Sequence, residues 1–469
     1  MKSRDPLLAA WQETLGDKSD APAIFDTSGA ILRSFRQIEE MAGAYEPGMN
    51  RFCAGQVVAI QIGNHQDWPA ILLAALRREL VVLPLERSIS EQEREAALGI
   101  CRASAVVAPK AFGAQSVEIL PLGTAASTEK IDWGNQPPSL LKLTSGTTAA
   151  PRAIRFRSEQ LLADCNNICE TMGISEADLN FGVIPVSHSY GFSNLLTPLI
   201  ARSVAMVLSR DRLPRAVLND LAQTNATVFP GMPLFYQAFC EMDERPELPN
   251  LRLCISAGAP LTATLAKKFH TKFKQPVHSF YGSSECGGIC YDRDGTNFED
   301  GFVGSPMNNV GVEFADPGGE LSQVRVRSAA VGHGYFPAPD EEKLSNGVFL
   351  PDDLLARHGS GFKIVGRISD VINVAGKKVN PAEVEAQLLQ LSGVREVIVF
   401  GRKSSLRNEE VAACVVAAPS VRESELLTFC RTRLSGWQVP KRIFLLDKMP
   451  VNERGKTSRR ELAIRFAER

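Results

Sequence analysis

A chain of 469 residues is longer than one ordinary hydrophobic core organises, so two or three domains are expected. Apolar residues make up 44% and charged residues 22%, near the globular average, so nothing in the composition points to disorder. With 52 basic against 53 acidic residues the formal net charge is −1, so no long-range field gathers nucleic acid or an anionic membrane. Any anionic ligand has to be held by local groups.

Residues 1–20 contain no sustained apolar stretch, and no later run reaches the ~18 uninterrupted apolar residues of a membrane span. Ten cysteines are scattered without the spacing of a small disulfide framework, which fits reduced thiols. A cytoplasmic location, with no membrane and no nucleic-acid partner, is the expectation. Residues 57–62 form a β-rich run, 70–76 a helix-like apolar stretch and 81–83 a second run before Pro84. Strand, helix and strand in close succession predict a βαβ unit and a parallel sheet. Apolar runs at 105–107, 179–184, 203–208 and 251–256 continue the pattern. From 287 to 337 glycines and prolines punctuate short alternating runs, which reads as a smaller antiparallel β-subdomain. Beyond Arg367, runs at 371–374, 397–400 and 411–416 around a helix from Pro381 predict a compact α+β domain. Asn380 is expected to cap that helix, with Pro381 in its first turn and Glu383 and Glu385 at the favourable N-terminal end.

The fold expected is therefore α/β. A large N-terminal part of layered sheets spans 1–366, with the β-subdomain at about 287–366, and a small mobile α+β domain spans 370–469.

Three segments carry chemistry. Thr144-Ser145-Gly146-Thr147-Thr148 places four hydroxyls and a glycine on one loop, with Arg152 close behind, a set that can wrap phosphate oxygens. By itself it also reads as a Ser/Thr-rich surface turn, and it lacks the Walker order G-x-x-x-x-G-K-[ST]. Arg454-Gly455-Lys456-Thr457 echoes the end of a Walker motif, but Pro450 stands where its first glycine belongs. Tyr281-Gly282-Ser283-Ser284-Glu285-Cys286-Gly287-Gly288 combines an aromatic face, hydroxyls, one carboxylate and glycines. Tyr281 can stack on a base, Ser284 can hold a phosphate oxygen and Glu285 can serve magnesium, which takes one or two carboxylates beside phosphates. A strand followed by a glycine turn explains the same residues equally well. Cys165 with Cys169 and Cys286 with Cys290 share an i,i+4 spacing, but neither has a second ligand pair nearby, so no zinc site is expected. No G-x-S-x-G elbow is present, against the commonest hydrolases.

In this order along the chain the segments resemble the acyl-adenylate-forming ligases, which include acyl-CoA and aryl-CoA synthetases, adenylation domains and luciferases. The run from Thr144 to Arg152 is similar to their phosphate loop, and Pro185 to Gly191 to their histidine loop. Gly258, Ala259 and Pro260 look like their adenine-pocket wall, and Tyr281 to Glu285 like their adenine and magnesium motif. Asp353, with Asp352 as the alternative, and Arg367 correspond to ribose contacts. Ser369 and Asp370 correspond to the hinge, Gly376 and Lys377 to the thiol-acceptor loop, and Lys456 to the C-terminal lysine. His188, Phe229, Met232, Gly287 and Gly288 fall where an acyl pocket is expected. Ala149, Arg152 and Ala153 depart from the glycine, lysine and glycine usual in the phosphate loop, and Ser369 from the usual acidic hinge residue.

The resemblance implies ATP-dependent activation of a small-molecule carboxylic acid to acyl-AMP, with pyrophosphate released, then transfer to the thiol of CoA. ATP, Mg2+ and CoA are the implied cofactors. Lys456, Glu285 and His188 are the implied catalytic residues, and Glu285 the metal ligand. In the family the C-terminal domain turns about its hinge between the two half-reactions, withdrawing the lysine and presenting the thiol loop. One alternative is a ligase that loads a phosphopantetheine carrier protein. A second is a weakly catalytic homologue that binds nucleotide.

Overall fold

The computed structural model describes residues 5–110, 116–123, 131–144, 152–210, 213–316, 321–374, 377–404, 408–450 and 457–467. By its contacts the chain divides into two compact units. The first comprises Met1–Phe314, Arg325–Pro351 and Arg357–Lys363; the second comprises Ala315–Val324, Asp352–Ala356 and Ile364–Arg469.

The expected βαβ unit is present in the first. Strands Val57–Ile60 and Val81–Pro84 pair in parallel, joined through helix Trp68–Arg77. All residues of both strands are buried, which is why they read as continuous apolar runs instead of alternating ones. Ala103–Pro109 and Leu140–Thr144 add in parallel on either side, and Leu140–Thr144 then turns back antiparallel into Arg152–Phe156. Antiparallel strands Val117–Pro121 and Tyr335–Phe336 complete this seven-stranded sheet at its two edges.

A second sheet carries the run Val277–Ser283, Leu253–Ser256, Val228–Gly231, Leu179–Gly182 and Ala205–Leu208, all neighbours parallel. Because the strands are parallel, the segments that follow them leave from one edge. The histidine loop, Met232, Gly258 to Pro260 and the Ser283–Gly288 turn therefore all lie beyond the carboxyl ends of strands. Open α/β sheets bind their ligands there. Strands Gly287–Tyr291 and Phe302–Pro306 continue the sheet antiparallel.

In the second unit Val394–Ser404 and Asn408–Ala417 form a long antiparallel pair, with Arg442–Leu445 parallel to the latter. Alternate residues feed two cores, one containing Val399, Val411, Ala413 and Val415 and the other Phe400, Ala412, Cys414 and Val416. Asn380 caps helix Pro381–Leu388 as expected, its side chain accepting from the Ala382 N–H at 3.1 Å.

Candidate active site

Thr144 and Arg152 face each other across the hairpin, and the Thr144 hydroxyl donates to the Arg152 carbonyl at 3.1 Å. The pair closes the base of the hydroxyl loop; Ser145, Gly146, Thr147 and Thr148 themselves lie outside the described residues. The Arg152 guanidinium lies 4.3 Å from the Tyr335 ring centroid and bonds Asp340 at 3.3 Å. A planar guanidinium can stack and hydrogen-bond at its edge together, which an ammonium cannot. The departure from lysine at this position thus has a local structural partner set.

The Tyr335 hydroxyl in turn donates to Glu285 at 3.2 Å. Burial pushes the Glu285 carboxyl above the usual carboxylate range, against a smaller pull from hydrogen bonds that include those of Tyr335 and Ser283. A partly buried carboxylate whose charge is disfavoured by its surroundings is one that a divalent cation would suit, so Glu285 could hold magnesium. Ser284 is tied to the histidine loop, its hydroxyl accepting from Ser189 at 3.0 Å. His188 is exposed, and its Nδ1 accepts from the Tyr190 N–H at 3.3 Å. Gly191 permits this fold of the loop, because a Cβ there would fall 2.1 Å from the Pro185 carbonyl oxygen.

Tyr281 is buried opposite Cys290 in its ladder, and Gly282 presses on the Gly287 carbonyl so closely that a Cβ would lie 2.6 Å from it. Gly258, Ala259 and Pro260 form an exposed segment, Gly258 with φ +82° and a Cβ position 3.9 Å from the Met232 sulfur. Phe229 is enclosed by Phe181, Phe235, Tyr236 and Phe239 at ring distances of 5.6–6.2 Å. Gly288 is buried, and its N–H donates to Asp164 at 3.0 Å.

Within the second unit the two ribose candidates meet: Arg367 Nε donates to Asp353 Oδ1 at 2.7 Å. Asp352, the alternative, lies beside it, and its carbonyl accepts from the Ile368 N–H at 2.8 Å. Ser369 and Asp370 close a single 3-10 turn, and Asp370 bonds Arg459 at 2.7 Å. Arg459 also grips Glu385 at 2.8 and 3.0 Å and the Val399 carbonyl at 2.9 Å. The Lys377 ammonium lies 3.8 Å from the Trp437 ring centroid. Gly376 and Lys456 lie outside the described residues.

A family model described as AMP-binding enzyme matches residues 11–336, and one described as AMP-binding enzyme C-terminal domain matches 383–456. The chain belongs to the AMP-binding enzyme family. Like its matching models, this AMP-binding enzyme is similar to curated relatives along most of its length. A feruloyl-CoA synthase of Amycolatopsis sp is 29% identical over 88% of this chain and 89% of its own. A long-chain-fatty-acid–CoA ligase of Escherichia coli is 25% identical over 97% and 94%. ATP-bound MatB from Rhodopseudomonas palustris superposes with a TM-score of 0.83 over 98% of this chain and 99% of that one, at 22% identity. MenE from Bacillus subtilis, an o-succinylbenzoate CoA synthetase, superposes with a TM-score of 0.81 over 97% of each chain, at 21% identity. At these identities the two structures establish the fold of this AMP-binding enzyme.

Sequence reasoning passed over Tyr335, Asp340, Asp164 and Lys142. The first two lie far along the chain from the loops they support, and no local motif marks them. Lys142 carried a signal, a lone cation in the apolar run Leu140 to Leu143.

Proposed function

We propose that this AMP-binding enzyme is an acid–CoA ligase working through an acyl-adenylate. A carboxylate is a poor acyl donor because oxide would have to leave. Attack of its oxygen on the α-phosphorus of ATP expels pyrophosphate and yields a mixed anhydride. Two anions must meet, so fixed cations and donors matter more than a general base. Arg152 and the hydroxyl loop hold the departing pyrophosphate. Glu285 would hold magnesium, which when bound neutralises phosphate charge. Asp353 and Arg367 orient the ribose, Tyr281 stacks on adenine, and Lys456 balances charge between carboxylate and α-phosphate. In the second half-reaction the thiol attacks the acyl carbonyl and AMP leaves; Gly376 and Lys377 belong to the loop that admits the pantetheine arm.

The observation that carries this reading is the chain of contacts Asp340–Arg152–Tyr335–Glu285, which couples the base of the phosphate loop to the metal-binding carboxylate. The CoA-ligase names of relatives spanning most of the chain support the acceptor. The test is pyrophosphate release from ATP and magnesium across aliphatic and aryl acids, with and without CoA. Acid-dependent release that turns over rapidly only with CoA is expected. Release that stalls near one turnover regardless of CoA would direct the acyl group to a carrier protein instead.

A further inference from the structure

Behind the glycine turn lie two buried charges that the chemistry above does not use. Lys142, on strand Leu140–Thr144, is 6% exposed, and Asp164, on helix Ser158–Met172, is 4% exposed. Leu141 packs into the core of the seven-stranded sheet, so its neighbour Lys142 points from the opposite face. There the ammonium lies 4.6 Å from the Phe156 ring centroid and 5.7 Å from that of Phe192. It forms no ion pair among the described residues; burial pulls its pKa down, and the Asp164 and Glu285 carboxylates oppose that shift. Asp164 Oδ1 accepts from the Gly288 N–H, while its Oδ2 has no hydrogen-bond partner among the described residues. The carboxylate sits so tightly beneath Gly287 that a Cβ there would fall 2.0 Å from Oδ1.

A buried ammonium and a half-bonded buried carboxylate are a costly combination, and an orphaned buried oxygen calls for a partner. Lys142 neighbours Phe192, which follows the histidine loop, and Asp164 lies beneath Gly287 and Gly288. These are the two segments expected to wall the acid pocket. We propose that Lys142 and Asp164 form the polar floor of that pocket and select a carboxylic acid bearing a hydroxyl group. The inference rests on the acid-activating reading above. A hydroxyl is the smallest group that completes both partners, donating its O–H to Asp164 Oδ2 and accepting from the Lys142 ammonium. A second carboxylate would face Asp164, and an amine would face Lys142, so diacids and amino acids are disfavoured.

The test uses the full chain and matched acids, aryl and aliphatic, each with and without a hydroxyl. Acid-dependent exchange of pyrophosphate into ATP reads adenylation, and calorimetry reads binding of the same acids without turnover. The wild-type chain is expected to favour the hydroxylated member of at least one pair by ~100-fold or more, as sites built around a substrate hydroxyl do. Lys142→Met and Asp164→Asn are each expected to cut that ratio below ~10, chiefly by raising KM for the hydroxylated acid. Asparagine keeps an oxygen for the Gly288 N–H, and melting temperatures report whether each variant folds. The proposal is overturned if no pair discriminates in the wild-type chain in either assay, a result that needs no variant. It is equally overturned if the ratio survives both substitutions. A hydroxyl preference in binding that the variants abolish, with no exchange for any acid, would uphold the floor and sink the adenylation reading.

Discussion

Arg152 shows how one side chain links several demands. Its stack on Tyr335 and its bond to Asp340 hold the base of the hydroxyl loop proposed to grip pyrophosphate, so Arg152→Lys keeps the charge and loses the geometry. Steady-state kinetics should show KM for ATP rising about tenfold, with a ~100-fold loss of kcat/KM for Arg152→Ala. His333 makes a second prediction at this scale. Burial, with Arg155 and Arg157 nearby, lowers its pKa from 6.5 to about 4. Between those values the unfolded chain binds the proton and the folded chain does not, so stability falls as pH drops from 6.5 towards 4. Thermal melting of His333→Gln across that window should fall less steeply with pH than that of the wild-type chain.

Single elements are held by groups distant in sequence. Asp178 begins the segment before strand Leu179–Gly182, and its carboxylate accepts from Arg252 at 2.7 and 2.7 Å, from Thr227 at 2.8 Å and from the Ser175 N–H at 2.9 Å. One carboxylate thereby ties the starts of three adjacent parallel strands. Asp178→Ala leaves these donors unpaired and should cost about 1–3 kcal/mol in denaturant unfolding. Burial raises the Asp178 pKa, but the Arg252 guanidinium and the other donors outweigh it and bring the carboxyl below its ordinary range. This contribution is therefore present above the unfolded pKa and is lost as pH falls through the folded one. The glycine turn is as constrained. Gly287 has φ +70° and no room for a Cβ against Asp164, so Gly287→Ala should lower the melting temperature and raise KM for the acid together.

For the whole molecule the expectation concerns two half-reactions in one chain. Lys456→Ala should depress acid-dependent pyrophosphate release ~100-fold or more, while thioester formation from preformed acyl-AMP continues. Equal loss of both, measured separately, would remove the lysine's assignment to the first step. Much of the architecture was readable before any coordinates. The βαβ unit, the Asn380 cap and the motif order depend on short-range patterns, because local backbone preferences and apolar period act over a few residues. Phe229 marks the boundary: its residue type suits a pocket or a core equally, and its four neighbouring rings come from segments that no local pattern connects. Likewise the Asp353–Arg367 bond joins residues fourteen apart in sequence and is visible only in three dimensions. Sequence by itself determined the family and the parallel sheets. Tertiary structure decided that Tyr335 and Asp340 support Arg152, that Arg459 grips Asp370, and that Lys142 and Asp164 lie buried behind the glycine turn. The reason is physical: hydrogen bonds and burial depend on distance in space, and these partners are far apart in sequence and meet only through strand pairing and helix packing.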